Sequence, residues 1–223
     1  FRPHLPALWD ESLPDVAKHR ADFRRAVTAR LHEAFYAPCS WWCEAHGVAL
    51  TGHPDAPDHI GAERWFHIPG QDVVWRYLEP DKPTALEGEQ STMGKCGSSA
   101  QRHARRARNS NECFGAYGWE FTYDEMRWVT DWLLVRGVNL LYPHAFYYSV
   151  RGDRRDERPP DVGPNNTWWG DYKTYADYCR RLCWMLSQGV HACDVAVLGA
   201  VDKLPWRAAK VLYQGQRDFN YLD

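Results

Sequence analysis

The segment from Thr122 to Tyr142 contains the most constraining local pattern of the sequence. Thr122-Tyr123-Asp124-Glu125 is a capping box, in which the threonine hydroxyl and the glutamate carboxylate satisfy free backbone N–H groups at a helix start. The apolar positions that follow recur at helical spacing and are Met126, Val129 and Leu133. Gly137 is a typical residue just beyond a helix end, and Val138–Tyr142 then predicts a strand. This succession is one helix-strand unit of an α/β fold.

The same alternation extends along most of the chain. Helices are predicted from Asp15 to about Phe35, from Ser98 to Arg108 and from Tyr172 to near Gly189, and strand-like runs at Ser40–Cys43, Asp72–Trp75 and Asp194–Leu198. Strands that alternate with helices of this length indicate a parallel sheet. In α/β folds the functional side chains follow the strand ends, and the polar, chemistry-rich stretches of this sequence follow its predicted strands.

Charge and motifs exclude several kinds of partner. The 223 residues have a formal net charge of -2, which gives no electrostatic support for nucleic acid or a membrane surface as a partner. No apolar run approaches the length of a membrane span. The basic run in Ser98–Arg108 is interpreted as a solvated helix face, because no nucleic-acid docking motif accompanies it. P-loop, dinucleotide-binding, GxSxG and HExxH motifs are absent.

Aromatic residues are the unusual feature of the composition. The chain has 12 Trp and 12 Tyr, many of which a core would absorb. Three aromatic pairs, however, lie in polar, loop-like stretches: Trp41-Trp42, Tyr147-Tyr148 and Trp168-Trp169. Since sugars present apolar C–H faces on which such rings stack, these pairs favour a carbohydrate site. The 7 cysteines include two pairs spaced by four, Cys39/Cys43 and Cys179/Cys183, which favour buried thiols on helix faces.

Glu112 is the strongest candidate for a catalytic residue. It lies between small polar residues in Ser110-Asn111-Glu112-Cys113-Phe114-Gly115, which is typical of a strand end that opens into a pocket. Glycoside hydrolysis needs one carboxyl group to protonate the leaving oxygen and another to attack or to activate water. The alternative is a structural hydrogen-bond acceptor. A cysteine nucleophile at Cys113 has no supporting context.

Further candidates would bind a hydroxyl-rich ligand. Glu44 and His46 follow the strand predicted at Ser40–Cys43, and capping of the local backbone is an equally good interpretation of both. His53, between Gly52 and Pro54, has the same ambiguity. His144 follows a predicted strand and could donate to a sugar hydroxyl. The remaining candidates at this mouth are Asn165, Asn166, Trp168 and Trp169.

Several motifs together resemble one group of enzymes. They are Cys43–Pro54, Ser98-Ser99-Ala100, Asn111–Gly115 with Gly118-Trp119, Arg136–Asn139 running to Pro143–Ser149, Pro159-Pro160-Asp161 and Asn165–Trp169. This set is similar to segments of large bacterial glycoside hydrolases of the α-L-rhamnosidase-like and β-galactosidase-like kind. It extends over most of the chain.

The resemblance implies a partial (β/α)8 barrel. Residues 1–190 would be the C-terminal half of the barrel, roughly strands 5 to 8, and residues 191–223 the start of a following α/β domain. Glu112 would end the seventh strand as nucleophile or general base. The sugar would be oriented by Glu44, His46, His144 and Tyr147, and stacked on by Trp119, Trp168 and Trp169. The general acid is expected upstream of Phe1, so the chain alone is expected to be inactive.

The resemblance also sets the expected partners. The substrate would be an oligosaccharide or polysaccharide cleaved at an O-glycosidic bond. No cofactor is indicated by the sequence, although the resemblance allows Ca²⁺ in a full-length enzyme. The sequence does not indicate the cellular compartment of the protein.

Two other functions fit the sequence. A non-catalytic carbohydrate-binding barrel would bind oligosaccharides without turnover. A metal-dependent hydrolase would use Glu44, His46 and His53 as ligands, and a stoichiometric transition metal on the purified protein would identify it.

Overall fold

A computed structural model describes residues 2–223, which form two compact units. The first unit ends at Leu50, and the second is Thr51–Asp223. The first is entirely helical in its regular structure: a 3₁₀ helix at Arg2–Leu8, α1 at Val16–Leu31, a π-helical turn at His32–Tyr36 and α2 at Ala37–Ala45. The helix predicted from Asp15 to about Phe35 is thus confirmed.

The strand predicted at Ser40–Cys43 is wrong. These residues lie inside α2, whose first turn contains Pro38. Proline is favoured in the first turn of a helix, where its missing N–H has no partner to lose. Ala37 and Ser40 are the buried residues of α2, a spacing that fits a helix and not the alternation of a strand.

The second unit alternates short strands with helices. Its helices are α3 (Ile60–Glu63), α4 (Met93–His103), α5 (Tyr123–Leu134), α6 (Tyr172–Met185) and α7 (Trp206–Gln214). Short 3₁₀ helices lie at Pro83–Ala85, Glu89–Thr92, Gly152–Asp156 and Thr167–Asp171. The strands are β1 (Gly70–Val73), β2 (Ser110–Cys113), β3 (Leu141–Pro143), β4 (Ala196–Leu198) and β5 (Asn220–Leu222).

Strands β1, β2 and β3 form a parallel sheet in that order. A parallel bridge between Thr51 and Ile68 lies just before β1. Parallel neighbours in chain order, joined by helices, make an α/β fold, which confirms that part of the prediction. Closure of the sheet into half of a barrel stays a prediction.

The boundaries of several elements differ from the sequence analysis. β1 ends at Val73 because Trp75 and Arg76 adopt left-handed φ angles of 55° and 51°. β3 pairs only over Leu141–Pro143, later than the predicted Val138–Tyr142. α4 begins before Ser98 and ends at His103, and Arg105, with φ 52°, prevents its continuation to Arg108.

Helix α5 packs its predicted apolar face into the main core. Met126, Val129 and Leu133 are fully buried, and the capping box of Thr122 and Glu125 is formed. This core also takes in Val73, Cys113, Phe114 and aromatic residues of α6. The helices therefore cover one face of the sheet.

The C-terminal segment builds a second core on the outside of α4. Strands β4 and β5 pair in parallel, and Phe219 and Tyr221 pack with Cys96 and Ala100 of α4. All residues of α4 from Met93 to Ala100 are buried. The division of the chain into domains at residue 190 stays a prediction.

No helix in the described part of the chain, residues 2–223, is long and apolar enough to cross a membrane.

Candidate active site

Three side chains lie in register on the sheet face opposite the main core. Asp72 of β1 pairs with Glu112 of β2, and Glu112 pairs with Tyr142 of β3. Successive residues of a strand point to opposite faces. Because Val73 and Cys113 enter the core, Asp72, Glu112 and Tyr142 point to the other side. Neighbouring strands are about 4.8 Å apart, so the two carboxyl groups start from adjacent backbone positions.

The Glu112 carboxylate is half-buried, and it accepts no hydrogen bond from any of residues 2–223. A structural acceptor would have an internal donor, because burying an unpaired carboxylate is costly. The group is thus free to interact with a molecule bound on this face of the sheet.

His53 lies beside Asp72. Its Nδ1 is 3.6 Å from Asp72 Oδ1 and 3.1 Å from the carbonyl oxygen of Pro54. The chain is held there by the Thr51 hydroxyl, which donates to the carbonyl of Ile68 at 3.0 Å. Gly70 allows this approach, since a Cβ at Gly70 would collide with the carbonyl oxygen of Gly52.

His144 is fixed at the end of β3. Its backbone N–H donates to the carbonyl of Cys113 at 2.8 Å, which continues the β2–β3 ladder by one residue. Its imidazole lies against Gly115, where an added Cβ would be 3.2 Å from His144 Cγ. The imidazole Nδ1 is buried without a hydrogen-bond partner in the described chain.

A cavity of about 470 Å³ opens next to His144. Tyr147 and Arg158 form part of its lining, together with Arg154 and Glu157. The Tyr147 hydroxyl donates to the carbonyl of Arg158 at 2.7 Å. Burial, followed by the nearby charge of Glu157, raises the pKa of Tyr147, so this hydroxyl stays protonated at neutral pH.

Asp161 organises the loop that borders the cavity. Its buried carboxylate accepts hydrogen bonds from the backbone N–H groups of Tyr147, Gly163 and Asn165, at 3.1, 2.8 and 2.9 Å. The Asn165 side chain also donates to it at 2.7 Å. Asn165 itself is exposed. Its amide therefore both supports the loop and remains accessible at its rim.

The three predicted stacking residues have different surroundings. Trp119 is at the surface and donates from Nε1 to the carbonyl of Arg155 at 2.7 Å. Trp169 is 42% exposed and stacks on Tyr172. Trp168, by contrast, belongs to the main core and is only 9% exposed. The Trp168 ring is covered in this structure and does not present a face for stacking.

Glu44 and His46 belong to the first compact unit, at and just after the end of α2, and not to a strand-end loop. The His46 ring stacks on Trp42 at 3.9 Å, and its Nδ1 is 2.7 Å from the Trp42 carbonyl oxygen. His53 belongs to the second unit. The sugar-binding roles of Glu44 and His46 stay predictions.

Among residues 2–223, no group of three or more His, Cys, Asp or Glu side chains could hold a metal ion. We assign no metal ligand. Complete burial raises the pKa of Cys113 well above its ordinary value, and thiols of that kind are poor nucleophiles.

Three residues at the site were missed by the sequence analysis. Asp72 was included only as part of an apolar run, although a polar residue near the end of a buried parallel strand is itself a signal. Trp75 and Arg158 are brought together by loops, with the Arg158 guanidinium carbon 5.5 Å from the centre of the Trp75 ring. No local pattern encodes that contact.

Comparisons with known proteins give a match in structure but not in sequence. No family model matches the sequence, and no curated protein matches it. The structure is similar to a rhamnosidase from Novosphingobium sp. PP1Y, with a TM-score of 0.69 and 17% sequence identity. The match covers 92% of this chain and 21% of the rhamnosidase chain.

This likeness concerns the fold. At 17% identity it shows a rhamnosidase-like α/β fold. The chain spans about a fifth of the length of that rhamnosidase.

Proposed function

We propose that the chain takes part in the hydrolysis of O-glycosidic bonds, with Glu112 as nucleophile or general base. The observation that carries the proposal is the register of Asp72, Glu112 and Tyr142 on the sheet face opposite the main core. Two carboxyl groups close together at the strand ends are the chemical requirement of glycoside hydrolysis. The fold-level likeness to a rhamnosidase supports α-L-rhamnosides as the first substrates to test.

Asp72 is a candidate for the second carboxyl group. It lies one strand away from Glu112, and the Nδ1 of His53 is 3.6 Å from its carboxylate. Asp72 and a carboxyl group outside the described residues are competing assignments for the general acid. Their roles differ in one measurable way: a general acid is needed only when the leaving group needs a proton.

The other residues of the site would hold the sugar. His144 would donate a hydrogen bond to a sugar hydroxyl, and Asn165 would do so from the rim. The Tyr147 oxygen would accept one, because its own O–H is donated to the carbonyl of Arg158. Trp119 and Trp169 are accessible enough to stack on sugar faces, whereas Trp168 would support them from the core.

The decisive experiment uses two substrates that differ in their leaving groups. The 2,4-dinitrophenolate group of 2,4-dinitrophenyl α-L-rhamnoside leaves without being protonated. Cleavage of this substrate therefore depends on Glu112 but not on a general acid. The expected inactivity of the chain alone rests on a missing general acid, which this leaving group does not need. Turnover of this substrate is therefore expected, and it should fall about 1,000-fold or more in Glu112→Gln. With a methyl α-L-rhamnoside, Asp72→Asn should also abolish turnover if Asp72 is the acid.

Asp153→Asn is the control, because Asp153 is an exposed carboxylate of the 3₁₀ helix Gly152–Asp156. Equal cleavage of the dinitrophenyl substrate by the wild type and Glu112→Gln would refute the catalytic role of Glu112. Binding of rhamnosides without cleavage of either substrate would favour the non-catalytic binding protein.

A further inference from the structure

We propose that the cavity beside His144 binds an anionic substituent of the sugar, a carboxylate or a sulfate group, through Arg158 with help from Arg154. This inference rests on the proposed function for the class of ligand. It adds that the preferred substrate has a negative charge next to the sugar unit held at Glu112.

The cavity has the size and the position for a second sugar unit. Its volume of about 470 Å³ lies within the range of small-molecule sites. It is lined by His144, the first residue after β3, and the backbone of His144 is hydrogen-bonded to Cys113, the neighbour of Glu112. A ligand in the cavity would therefore adjoin one bound at Glu112.

The charged groups of the cavity favour an anion. Arg154 and Arg158 contribute two positive charges to its lining, and Glu157 contributes one negative charge. Within residues 2–223, neither arginine side chain is hydrogen-bonded or ion-paired to a carboxylate. Their neighbour Arg155, outside the lining, is instead paired with Asp156 at 3.1 Å. An unpaired guanidinium group offers the planar set of donors that binds carboxylate or sulfate oxygens in pairs.

Arg158 is held in place by its backbone and by its side chain. Its carbonyl oxygen accepts hydrogen bonds from Ala116 N–H at 3.3 Å and from the Tyr147 hydroxyl at 2.7 Å. Its guanidinium group lies over the Trp75 ring, at 5.5 Å from the ring centre. This cation–π contact orients the side chain without using its hydrogen-bond donors. A donor group that is positioned in advance binds with less loss of conformational entropy.

The experiment measures binding, which does not depend on catalysis. The probes are four α-L-rhamnosyl disaccharides whose second unit is a uronic acid, its methyl ester, the neutral hexose or the O-sulfated hexose. Isothermal titration calorimetry with the full chain at fixed salt should show at least one charged disaccharide bound about tenfold more tightly than the neutral one. The tighter of the two charged probes identifies the anion.

Matched variants test the arginine. Arg158→Met should reduce the preference for the charged disaccharide to about twofold or less, and Arg158→Lys should retain only part of it, because lysine keeps the charge but not the planar fork. Arg155→Met, which removes a neighbouring arginine outside the cavity, should leave the preference unchanged. Thermal melting of each variant verifies that it is folded.

Three results would overturn the inference: equal affinity of the wild type for all four probes, binding of none of them, or the same loss in Arg155→Met as in Arg158→Met. The assay with 2,4-dinitrophenyl α-L-rhamnoside separates this failure from that of the proposed function, because that substrate has no anionic substituent. Glu112-dependent turnover without a charge preference would support the proposed hydrolysis and refute the anion site. A charge preference without turnover would leave only the anion site.

Discussion

Replacing Asp218 with asparagine removes the charge that faces a buried lysine. The Lys95 side chain is 1% exposed and forms an ion pair with Asp218, which also contacts His191. Burial, reinforced by the charge of Arg102, lowers the pKa of Lys95 from 10.5 to about 8, despite the opposing effect of Asp218. Lys95 is therefore still charged at pH 7, and asparagine would leave that charge without its partner.

The pKa values set the size of the effect. Burial disfavours ionisation of Asp218, but the hydrogen bond and charge of Lys95 outweigh it and lower the pKa of Asp218 from 3.8 to about 2. One pKa unit corresponds to about 1.4 kcal/mol, so the lowered pKa of Asp218 corresponds to a stabilisation of about 2.5 kcal/mol. The Asp218 side chain is 47% exposed, so solvent screening reduces the expected loss in Asp218→Asn to about 1.5 kcal/mol.

The sign of the pH dependence follows from Lys95. Its folded-state pKa lies below its unfolded-state value, so its contribution to stability is full above about pH 10.5 and is lost as the pH falls through 8. In Asp218→Asn the lysine loses an attractive charge, and its pKa falls further. We expect the destabilisation to be greatest at pH 7 and to shrink to about 0.5 kcal/mol or less at pH 9.5, where Lys95 is neutral in both proteins.

Urea unfolding at pH 7 and pH 9.5 measures both quantities. The double variant Lys95→Met/Asp218→Asn should regain most of the stability, because methionine does not bury a charge. Asp156→Asn, which removes an exposed partner of Arg155, is the control and should leave the unfolding midpoint unchanged. A loss in Asp218→Asn that is the same at both pH values, or that the double variant does not relieve, would refute the reasoning.

Two further predictions concern the sheet and its supports. Gly70→Ala should destabilise the protein by about 2 kcal/mol or more, because the new Cβ would overlap the carbonyl oxygen of Gly52 and lie 2.5 Å from Ser110 Oγ. Gly170→Ala, with no atom within 4 Å of its Cβ, should change the urea midpoint little. Complete burial raises the pKa of Glu63 well above 4.5, so its contribution to stability is full below about pH 4 and is lost as the pH rises. Glu63→Gln should therefore match the wild type at pH 4 and exceed its stability at pH 8, and a wild-type advantage at pH 8 would contradict this.

The elements that were predicted correctly have their determinants within a few residues. The start of α5 is encoded by Thr122 and Glu125, and its face by apolar residues at helical spacing. At Ser40–Cys43, two local signals conflicted. The aromatic pair Trp41-Trp42 favoured a strand, whereas Pro38 and the four-residue spacing of Cys39 and Cys43 favoured the helix that forms.

The site was only partly predictable for a different reason. Glu112 and His144 could be selected because each lies at a strand end that the sequence marks. Asp72, the neighbour of Glu112 in the sheet, could not be selected from the sequence. The strand register that aligns the two residues joins positions 40 residues apart. The position of Arg158 depends on contacts with Ala116 and Tyr147 in two other loops. The core position of Trp168, beside the exposed Trp169, likewise depends on tertiary packing with Phe121.

The double covering of α4 has a consequence for synthesis on the ribosome. The residues that bury its outer face are far along the chain: Tyr221 N–H donates to the Ser99 hydroxyl across 122 positions, and Asp218 meets Lys95 across 123. At about 5–20 residues per second, translation of that interval takes on the order of 10 s. For that time α4 lacks the partners that bury Cys96, Ala100 and Lys95 in the folded protein, so its packing is completed only at the end of synthesis.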